Sequence, residues 1–300
     1  MAQSAEEAGK DGSGITLVVG FSEQSASNRL ALLIAPALAE ASGEACRVTR
    51  LEGGNGEVAA DAVSHSLADG RTLFVATLGT HALLPHSGRT TYDPITSFAP
   101  ISLLASQPLV LAVHESLGVT DVAGLTRLAR SRTAPLRFGC SALGGAPHLA
   151  AELYARITGV KLAPAIYKET AQLYADLRAG AIDMSFNNIS SMRELTDTRV
   201  KLLAVTADKR SPGLPDVPTM MESGVPRYSF SNWFVLVAPA GTDAQIVSIL
   251  NDAVRRAIAA IAPKLEQEGI RPVGSSPAEA HSHLATELAK WESIAQRLAG

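Results

Sequence analysis

The stretch ITLVVGFSEQSASNRLALLIA, residues 15–35, contains the pattern that decides the fold. Its apolar start, 15–20, predicts a buried strand, and the polar turn that follows leads into a helix predicted over 28–41. Ser25 or Ser27 is a suitable N-cap for that helix. The turn therefore allows two interpretations: a capped helix start, or an anion site formed by unpaired amides, hydroxyls and the positive end of the helix dipole.

The same alternation of short strands and longer helices continues along the chain and predicts the α/β class, with parallel sheets covered on both faces. Pro36 is expected to kink the first helix. The predicted strands are 15–20, 46–51, 72–77, 136–140, 182–186, 201–206 and 233–238. The predicted helices are 28–41, 56–68, 121–131, 147–157, 170–179, 244–260, 263–268 and 277–298.

Two long apolar stretches, 98–113 and 228–238, break this alternation and enclose a self-contained set of elements. A chain that leaves one domain, builds a second and returns to the first produces this order. We therefore predict two α/β lobes, with lobe one at 15–110 plus 230–300 and lobe two at 111–229. Ligands of such folds lie beyond the carboxyl ends of the strands, so a ligand cleft between the lobes is expected.

Composition excludes several classes of protein. The 300 residues are 46% hydrophobic, which is ample for a packed core, and the net charge of −3 without basic clusters argues against nucleic acid as a partner. No apolar run approaches the ~20 residues that span a bilayer. The start, MAQSAEEAGKDGSG, is polar and acidic, so we interpret it as a flexible lead-in and not as a signal peptide. Two cysteines without CxxC spacing predict neither a disulfide scaffold nor a metal site.

Small, neutral turns follow four of the predicted strands, two in each predicted lobe. A helix cap alone explains any one of them. Four strand ends that carry hydroxyls, amides and glycines with little charge, however, form a consistent lining for a small polar ligand. These turns are 21–28, 77–81, 140–146 and 187–191.

Motifs that suggest other chemistry are incomplete. Residues 54–59, GNGEVA, fit a loose dinucleotide fingerprint, but no acidic residue ends a strand about 20 residues later, so tight-turn glycines are the preferred interpretation. Residues 139–143 lack the last glycine of GxSxG. Cys140 near His148 is more typical of an inert buried thiol than of a nucleophile. We predict no catalytic residues, metal site or cofactor.

Residues 208–224, DKRSPGLPDVPTMMESG, closely resemble the KRSPxLPDVPTxxExG signature of Bug-type extracytoplasmic solute receptors, the substrate-binding proteins of tripartite tricarboxylate transporters. Shorter agreeing pieces occur in the same order, and the similarity extends over about 15–298. These pieces are 69–73 (DGRTL), 92–94 (YDP), 98–101 (FAPI), 147–152 (PHLAAE), 166–168 (IYK) and 233–242, which begins at Trp233.

The resemblance implies a two-lobed periplasmic-binding-protein fold that closes on a small carboxylate-bearing ligand. In the family the ligand is held by backbone amides, hydroxyls and waters rather than by an arginine fork. The resemblance also implies a periplasmic location, membrane permease subunits as partners, a monomer, and neither enzymatic activity nor a cofactor. The alternative is a ligand-sensing subunit that presents its closed form to a membrane sensor kinase, and an enzyme on the same fold is a weaker third interpretation.

Carried onto this sequence, the resemblance places ligand contacts in the four neutral turns and beside Tyr167. Two departures stand out, because Glu23 adds a negative charge to the first turn and Asn187 stands where the family often has aspartate. The resemblance therefore implies the ligand class but not the ligand. The candidate ligand-binding residues are Phe21, Ser22, Ser25, Ser27, Asn28, Thr77, Thr80, His81, Ser141, Gly144, Ala146, Tyr167, Asn187 and Asn188.

Overall fold

The computed structural model describes residues 14–299 except 24, 89, 142, 168, 190 and 193–198, and it describes no side chains at 87 and 293–299. The lead-in predicted at the N-terminus lies outside these residues, as do 142 and 190 of the predicted turns. The strands are β1 (Ile15–Val19), β2 (Cys46–Arg50), β3 (Thr72–Thr77), β4 (Phe98–Gln107), β5 (Leu109–His114), β6 (Leu136–Cys140), β7 (Leu162–Ile166), β8 (Met184–Asn188), β9 (Val200–Val205), β10 (Asn232–Pro239) and β11 (Arg271–Pro272). The α-helices are α1 (Ala26–Ser42), α2 (Glu57–Ser64), α3 (Val122–Ser131), α4 (Ala146–Thr158), α5 (Thr170–Ala179), α6 (Ala244–Gln267) and α7 (Pro277–Ala299).

The chain divides into two compact units, and the α/β class is confirmed in both, but the prediction of parallel sheets is wrong because each sheet also contains antiparallel pairs. Unit 1 contains the chain up to Ser106, Trp233–Leu265, and the chain from Pro272 onward, whereas unit 2 contains Gln107–Asn232 and Glu266–Arg271. The segment 266–271 thus lies with unit 2, although the sequence analysis assigned it to lobe one. The predicted lobe boundaries, 15–110 plus 230–300 and 111–229, and the cleft between the lobes remain predictions.

The sheet of unit 1 has the strand order β11-β4-β10-β3-β1-β2. Strand β1 runs parallel to both β2 and β3, and β10 runs antiparallel to β3. All five residues of β1 are buried, because the strand lies inside the sheet and all its residues except Thr16 are apolar. The carboxyl ends of β1, β2 and β3 consequently lie at one edge of this sheet, together with the start of β10.

The sheet of unit 2 has the order β7-β6-β8-β5-β9. Strand β6 is parallel to β7 and β8, and β5 is antiparallel to β8 and β9. This arrangement brings the carboxyl ends of β6, β7, β8 and β9 to one edge. The turns that follow β6 and β8 are therefore neighbours, as the parallel topology requires.

Prolines account for most differences from the predicted elements. Pro108 separates β4 from β5, so the single apolar stretch becomes two strands in two different sheets. Strand β7 was not predicted, because it contains Pro164 and forms the partly exposed edge of its sheet, where a proline is tolerated. Helices α1 and α6 continue past Pro36 and Pro263, so the two helices predicted at 244–260 and 263–268 are one. None of the helices in the described ranges combines the length and apolarity needed to cross a bilayer.

Candidate ligand-binding site

The turn after β1 confirms the helix-cap interpretation in detail. Ser25 has extended backbone angles, and its Oγ accepts the backbone N–H of Asn28 at 3.2 Å. A second contact of 3.2 Å joins the Ser25 and Ser27 hydroxyls, and the Asn28 side-chain amide donates to the Glu23 carbonyl at 2.9 Å. Ser22 is exposed and accepts the Ser25 N–H through its carbonyl. The turn is therefore held in shape by its own polar groups.

The turns that follow β1, β2 and β3 are in direct contact. A Cβ at Gly20 would lie 2.6 Å from Gly56 Cα, and a Cβ at Gly56 would lie 2.6 Å from Thr80 Cγ2 and 3.1 Å from the ring of Phe21. Gly56 also has a φ of +92°, in the left-handed region that favours glycine. These contacts support the tight-turn interpretation of the GNGEVA stretch and bring three of the strand ends of unit 1 together.

The turn after β3 is built from a reciprocal threonine pair. The backbone N–H of Thr77 donates to Thr80 Oγ1 at 3.0 Å, and Thr80 N–H lies 3.4 Å from Thr77 Oγ1. Thr80 Oγ1 is also 3.1 Å from His81 Nδ1. A single turn of π-helix, Gly79–Leu83, follows, and such turns are common at functional sites.

The side chains of Thr80 and His81 lie inside the protein, and their direct contact with a ligand remains a prediction. Both residues have 0% of their surface exposed. His81 packs against the rings of Phe74, Tyr92 and Phe98, and among the described residues its Nε2 has no hydrogen-bond partner. Burial lowers the pKa of His81 to about 3, so the imidazole is neutral and offers no positive charge to an anion.

The turn after β6 leads into α4 and presents polar groups at its surface. Ser141 is exposed, and Gly145, as N-cap of α4, offers no side-chain acceptor to the first amides of the helix, which begins at Ala146. The Gly144 N–H donates to His148 Nδ1 at 3.1 Å. His148 is buried, which lowers its pKa, so the neutral ring serves as the acceptor that fixes the turn. The sequence analysis considered His148 only as a neighbour of Cys140 and did not predict this contact.

The remaining candidates of unit 2 are partly committed to internal bonds. The Tyr167 N–H donates to the Cys140 carbonyl at 2.9 Å, and its hydroxyl donates to Asp176 Oδ2 at 2.8 Å. The Asn187 side chain is buried and donates to the Ser185 hydroxyl, whereas Asn188 is half-buried at the end of β8. Of these, Tyr167 and Asn188 retain surface for contact with a small molecule.

The candidates thus form two groups, one in each unit. In unit 1, Phe21, Ser22, Ser25, Ser27, Asn28, Thr77, Thr80 and His81 lie at the carboxyl edge of the sheet. In unit 2, Ser141, Gly144, Ala146, Tyr167, Asn187 and Asn188 lie at the corresponding edge of the second sheet. That the two groups share one ligand remains a prediction.

One arginine lies between two carboxylates near the first turn. Glu23, the acidic departure from the family pattern, lies 3.9 Å from Arg50, which is also 3.7 Å from Glu52. Cys46 and Cys140 are not joined in a disulfide, and within the part of the chain that the structure describes no cluster of His, Cys, Asp or Glu could hold a metal ion. The described residues of the candidate turns present hydroxyls and amides.

The stretch 208–224, which carries the family resemblance, has an internal structural role. Arg210 Nε donates to both carboxylate oxygens of Glu222, at 3.0 and 3.2 Å. Glu222 in turn accepts the Thr219 N–H at 2.7 Å, and the Thr219 hydroxyl accepts the Glu222 N–H at 3.0 Å. Val205 N–H donates to the Pro218 carbonyl, so the loop is tied to β9, the edge strand of its sheet. The signature closes the loop over an otherwise open strand edge.

The two tryptophans meet at one buried carboxylate, that of Glu287. Trp233 and Trp291 both donate their indole N–H to Glu287 Oε2 at 2.9 Å, and Lys290 Nζ lies 3.0 Å from Glu287 Oε1. Burial favours a higher pKa for Glu287, but Lys290 and the indoles outweigh it and hold that pKa below its ordinary value. His283, which is half-buried, packs edge-on against the Trp233 ring.

Comparison with known proteins agrees with this architecture. The family model for the tripartite tricarboxylate transporter family receptor (TctC) matches residues 31–299. A UPF0065 protein encoded between tcbD and tcbE in Pseudomonas sp. (strain P51) is 31% identical over 284 residues, covering 93% of this chain and 84% of that protein. Among solved structures, an R. palustris protein with adipate is 37% identical with a TM-score of 0.78, covering 96% of this chain and 97% of that chain. MatC from Rhodopseudomonas palustris, with bound malate, is 28% identical with a TM-score of 0.75, covering 94% and 98%.

Proposed function

Because this chain belongs to the tripartite tricarboxylate transporter family of receptors, we propose that it captures a small dicarboxylate in the periplasm and delivers it to membrane permease subunits. The observation that carries the proposal is the full-length likeness to a protein solved with adipate. A second relative, solved with malate, supports the same class of ligand. Both acids carry two carboxylates and no other charge.

The turns supply the chemistry that such a ligand needs. A carboxylate is well solvated by several N–H and O–H donors, and helix starts offer both unpaired amides and a favourable dipole. In unit 1 we assign direct contact to Phe21, Ser22 and Ser25, which keep exposed surface. Ser27, Asn28 and Thr77 are buried, and we assign them a supporting role in the same turns. In unit 2 we assign direct contact to Ser141, Gly144, Ala146, Tyr167 and Asn188, whereas the buried Asn187 supports the end of β8 through its bond to Ser185. Thr80 and His81 shape the turn after β3 from within.

Capping and ligand binding do not compete for the Ser25 hydroxyl. Its oxygen accepts the Asn28 N–H through a lone pair, whereas its proton is a donor. One hydroxyl can therefore hold the helix start and donate to a carboxylate at the same time. The two interpretations of the first turn are compatible, and we assign both roles to Ser25.

We further propose that the protein acts as a monomeric receptor without catalytic activity. The neutral turns provide donors for an anion, and the one histidine among the candidate residues is neutral and buried. Turns that offer neutral donors bind a carboxylate, but they supply neither a general base that activates water nor an activated nucleophile that attacks the ligand. Unchanged adipate after long incubation, followed by NMR, and a monomer mass in light scattering are the expected results.

Native mass spectrometry of protein purified from its own periplasm tests the proposal. We expect a retained small molecule whose accurate mass and fragmentation identify a carboxylic acid, lost on mild unfolding. A retained sugar, amine or metal ion in place of an acid would contradict the ligand class. Unfolding and refolding before calorimetry removes retained ligand and allows titration of the empty protein.

A further inference from the structure

Tyr92 occupies an unusual position beside the turn after β3. It is 5% exposed, and its hydroxyl donates to the Thr80 carbonyl at 2.6 Å. Burial, reinforced by the carboxylates of Glu57 and Asp61, raises the pKa of Tyr92, so the phenol is a protonated donor at any physiological pH. Sequence analysis gave this residue no role beyond its place in the YDP piece.

The need for this donor follows from Pro85. In the π-helical turn, the Leu84 N–H donates to the Gly79 carbonyl, five residues earlier. The next bond of that series would run from residue 85 to the Thr80 carbonyl, but proline has no N–H. Thr80 is completely buried, so water does not replace the missing donor. The Tyr92 hydroxyl takes its place.

The Thr80 carbonyl is tied to groups that face the turn. Thr80 exchanges hydrogen bonds with Thr77, and its methyl group lies against Gly56, which in turn contacts the Phe21 ring. A shift of Thr80 therefore disturbs all three strand ends of unit 1 together. A buried carbonyl left without a donor is costly enough to drive such a shift.

We propose that Tyr92 is a positioning residue for ligand binding: by replacing the donor that Pro85 lacks, it holds the turn after β3 in the shape that receives the ligand. This inference rests on the proposed function, because the ligand is the dicarboxylate assigned above. Tyr92 itself makes no contact with the ligand. It acts through Thr80.

Three variants test the proposal by calorimetry with adipate and malate. Tyr92→Phe removes only the hydroxyl, and we expect the affinity for whichever acid the wild type binds to fall about tenfold. Tyr154→Phe is the matched control, since that buried tyrosine in unit 2 bonds to the Thr126 hydroxyl at 2.7 Å, and we expect it to bind like the wild type. In the Tyr92→Phe, Pro85→Ala double variant, the restored N–H at residue 85 should recover most of the affinity.

Hydrogen exchange gives a readout that does not depend on ligand. In Tyr92→Phe the amides of 79–84 should exchange faster than in the wild type, and in Tyr154→Phe they should not. Three results would each overturn the proposal. They are an equal loss of affinity in both tyrosine variants, wild-type affinity in Tyr92→Phe, and no recovery of affinity in the double variant. If the wild type binds neither acid, the proposed function is contradicted, and the exchange comparison alone decides whether Tyr92 holds the turn.

Discussion

Replacing Ser25 separates its two proposed roles, because glycine and alanine differ as N-caps. Ser25→Ala should lower the free energy of unfolding by about 1 kcal/mol, whereas Ser25→Gly should cost only a few tenths. Both variants lose the hydroxyl donor. A hydrogen bond to a charged group contributes about 1.5–3 kcal/mol, so both should bind adipate roughly ten- to a hundredfold more weakly than the wild type.

The assay pairs urea unfolding without ligand with calorimetric titration of adipate. Ser276→Ala is the control, since Ser276 caps the start of α7 by accepting the Glu279 N–H at 3.3 Å and lies outside the candidate residues. It should lose stability and keep its affinity. If Ser25→Ala and Ser25→Gly bind adipate as tightly as the wild type while Ser25→Ala unfolds earlier, the turn is only a helix cap and the reasoning is refuted.

Three further changes test other parts of the structure. Glu287→Gln should destabilise the protein by roughly 1–3 kcal/mol, because Lys290 loses its partner carboxylate, and urea unfolding followed by tryptophan emission measures this. In the wild type the pKa of Glu287 is depressed, so the stabilisation that its carboxylate contributes is present at neutral pH and is lost as the pH falls below about 4.5. Glu287→Gln should lack this acid-dependent loss. Identical plots of unfolding free energy against pH for the two proteins would contradict this. Arg210→Ala should speed hydrogen exchange in 205–224 without changing adipate affinity, and a loss of affinity would show that the signature loop takes part in binding. Trp291→Phe should shift the emission of the remaining Trp233, since both indoles share Glu287, and an unchanged Trp233 spectrum would contradict that shared contact.

The elements that the sequence predicted well are those whose signals are local. Strand β1 and helix α1 are set by an adjacent apolar run, a capping serine and a periodic apolar face, all within 15–42. Strand β7 carries no comparable signal. Three of its five residues are half-buried and the other two are exposed, and Pro164 interrupts its propensity, so only pairing with β6 makes it a strand.

The candidate site was predictable as a set of strand ends but not as a set of contacts. Parallel topology brings the ends of β1, β2 and β3 together, and the pattern of small polar residues marks them. Burial of Thr80 and His81, by contrast, depends on Tyr92 and Phe98, which come from later in the chain. The same holds for Trp233 and Glu287, which lie 54 residues apart in sequence. Contacts of this kind leave no local pattern.

The most direct test of the central claim is a calorimetric comparison of adipate with adipamide, its neutral isostere, on the refolded wild-type protein. Adipamide keeps the chain length and the carbonyl groups but replaces both charges. The proposed donor-lined turns predict saturable binding of adipate at one site and no measurable binding of adipamide. Equal affinity for the two compounds, or binding of adipamide alone, would contradict a site built for carboxylates.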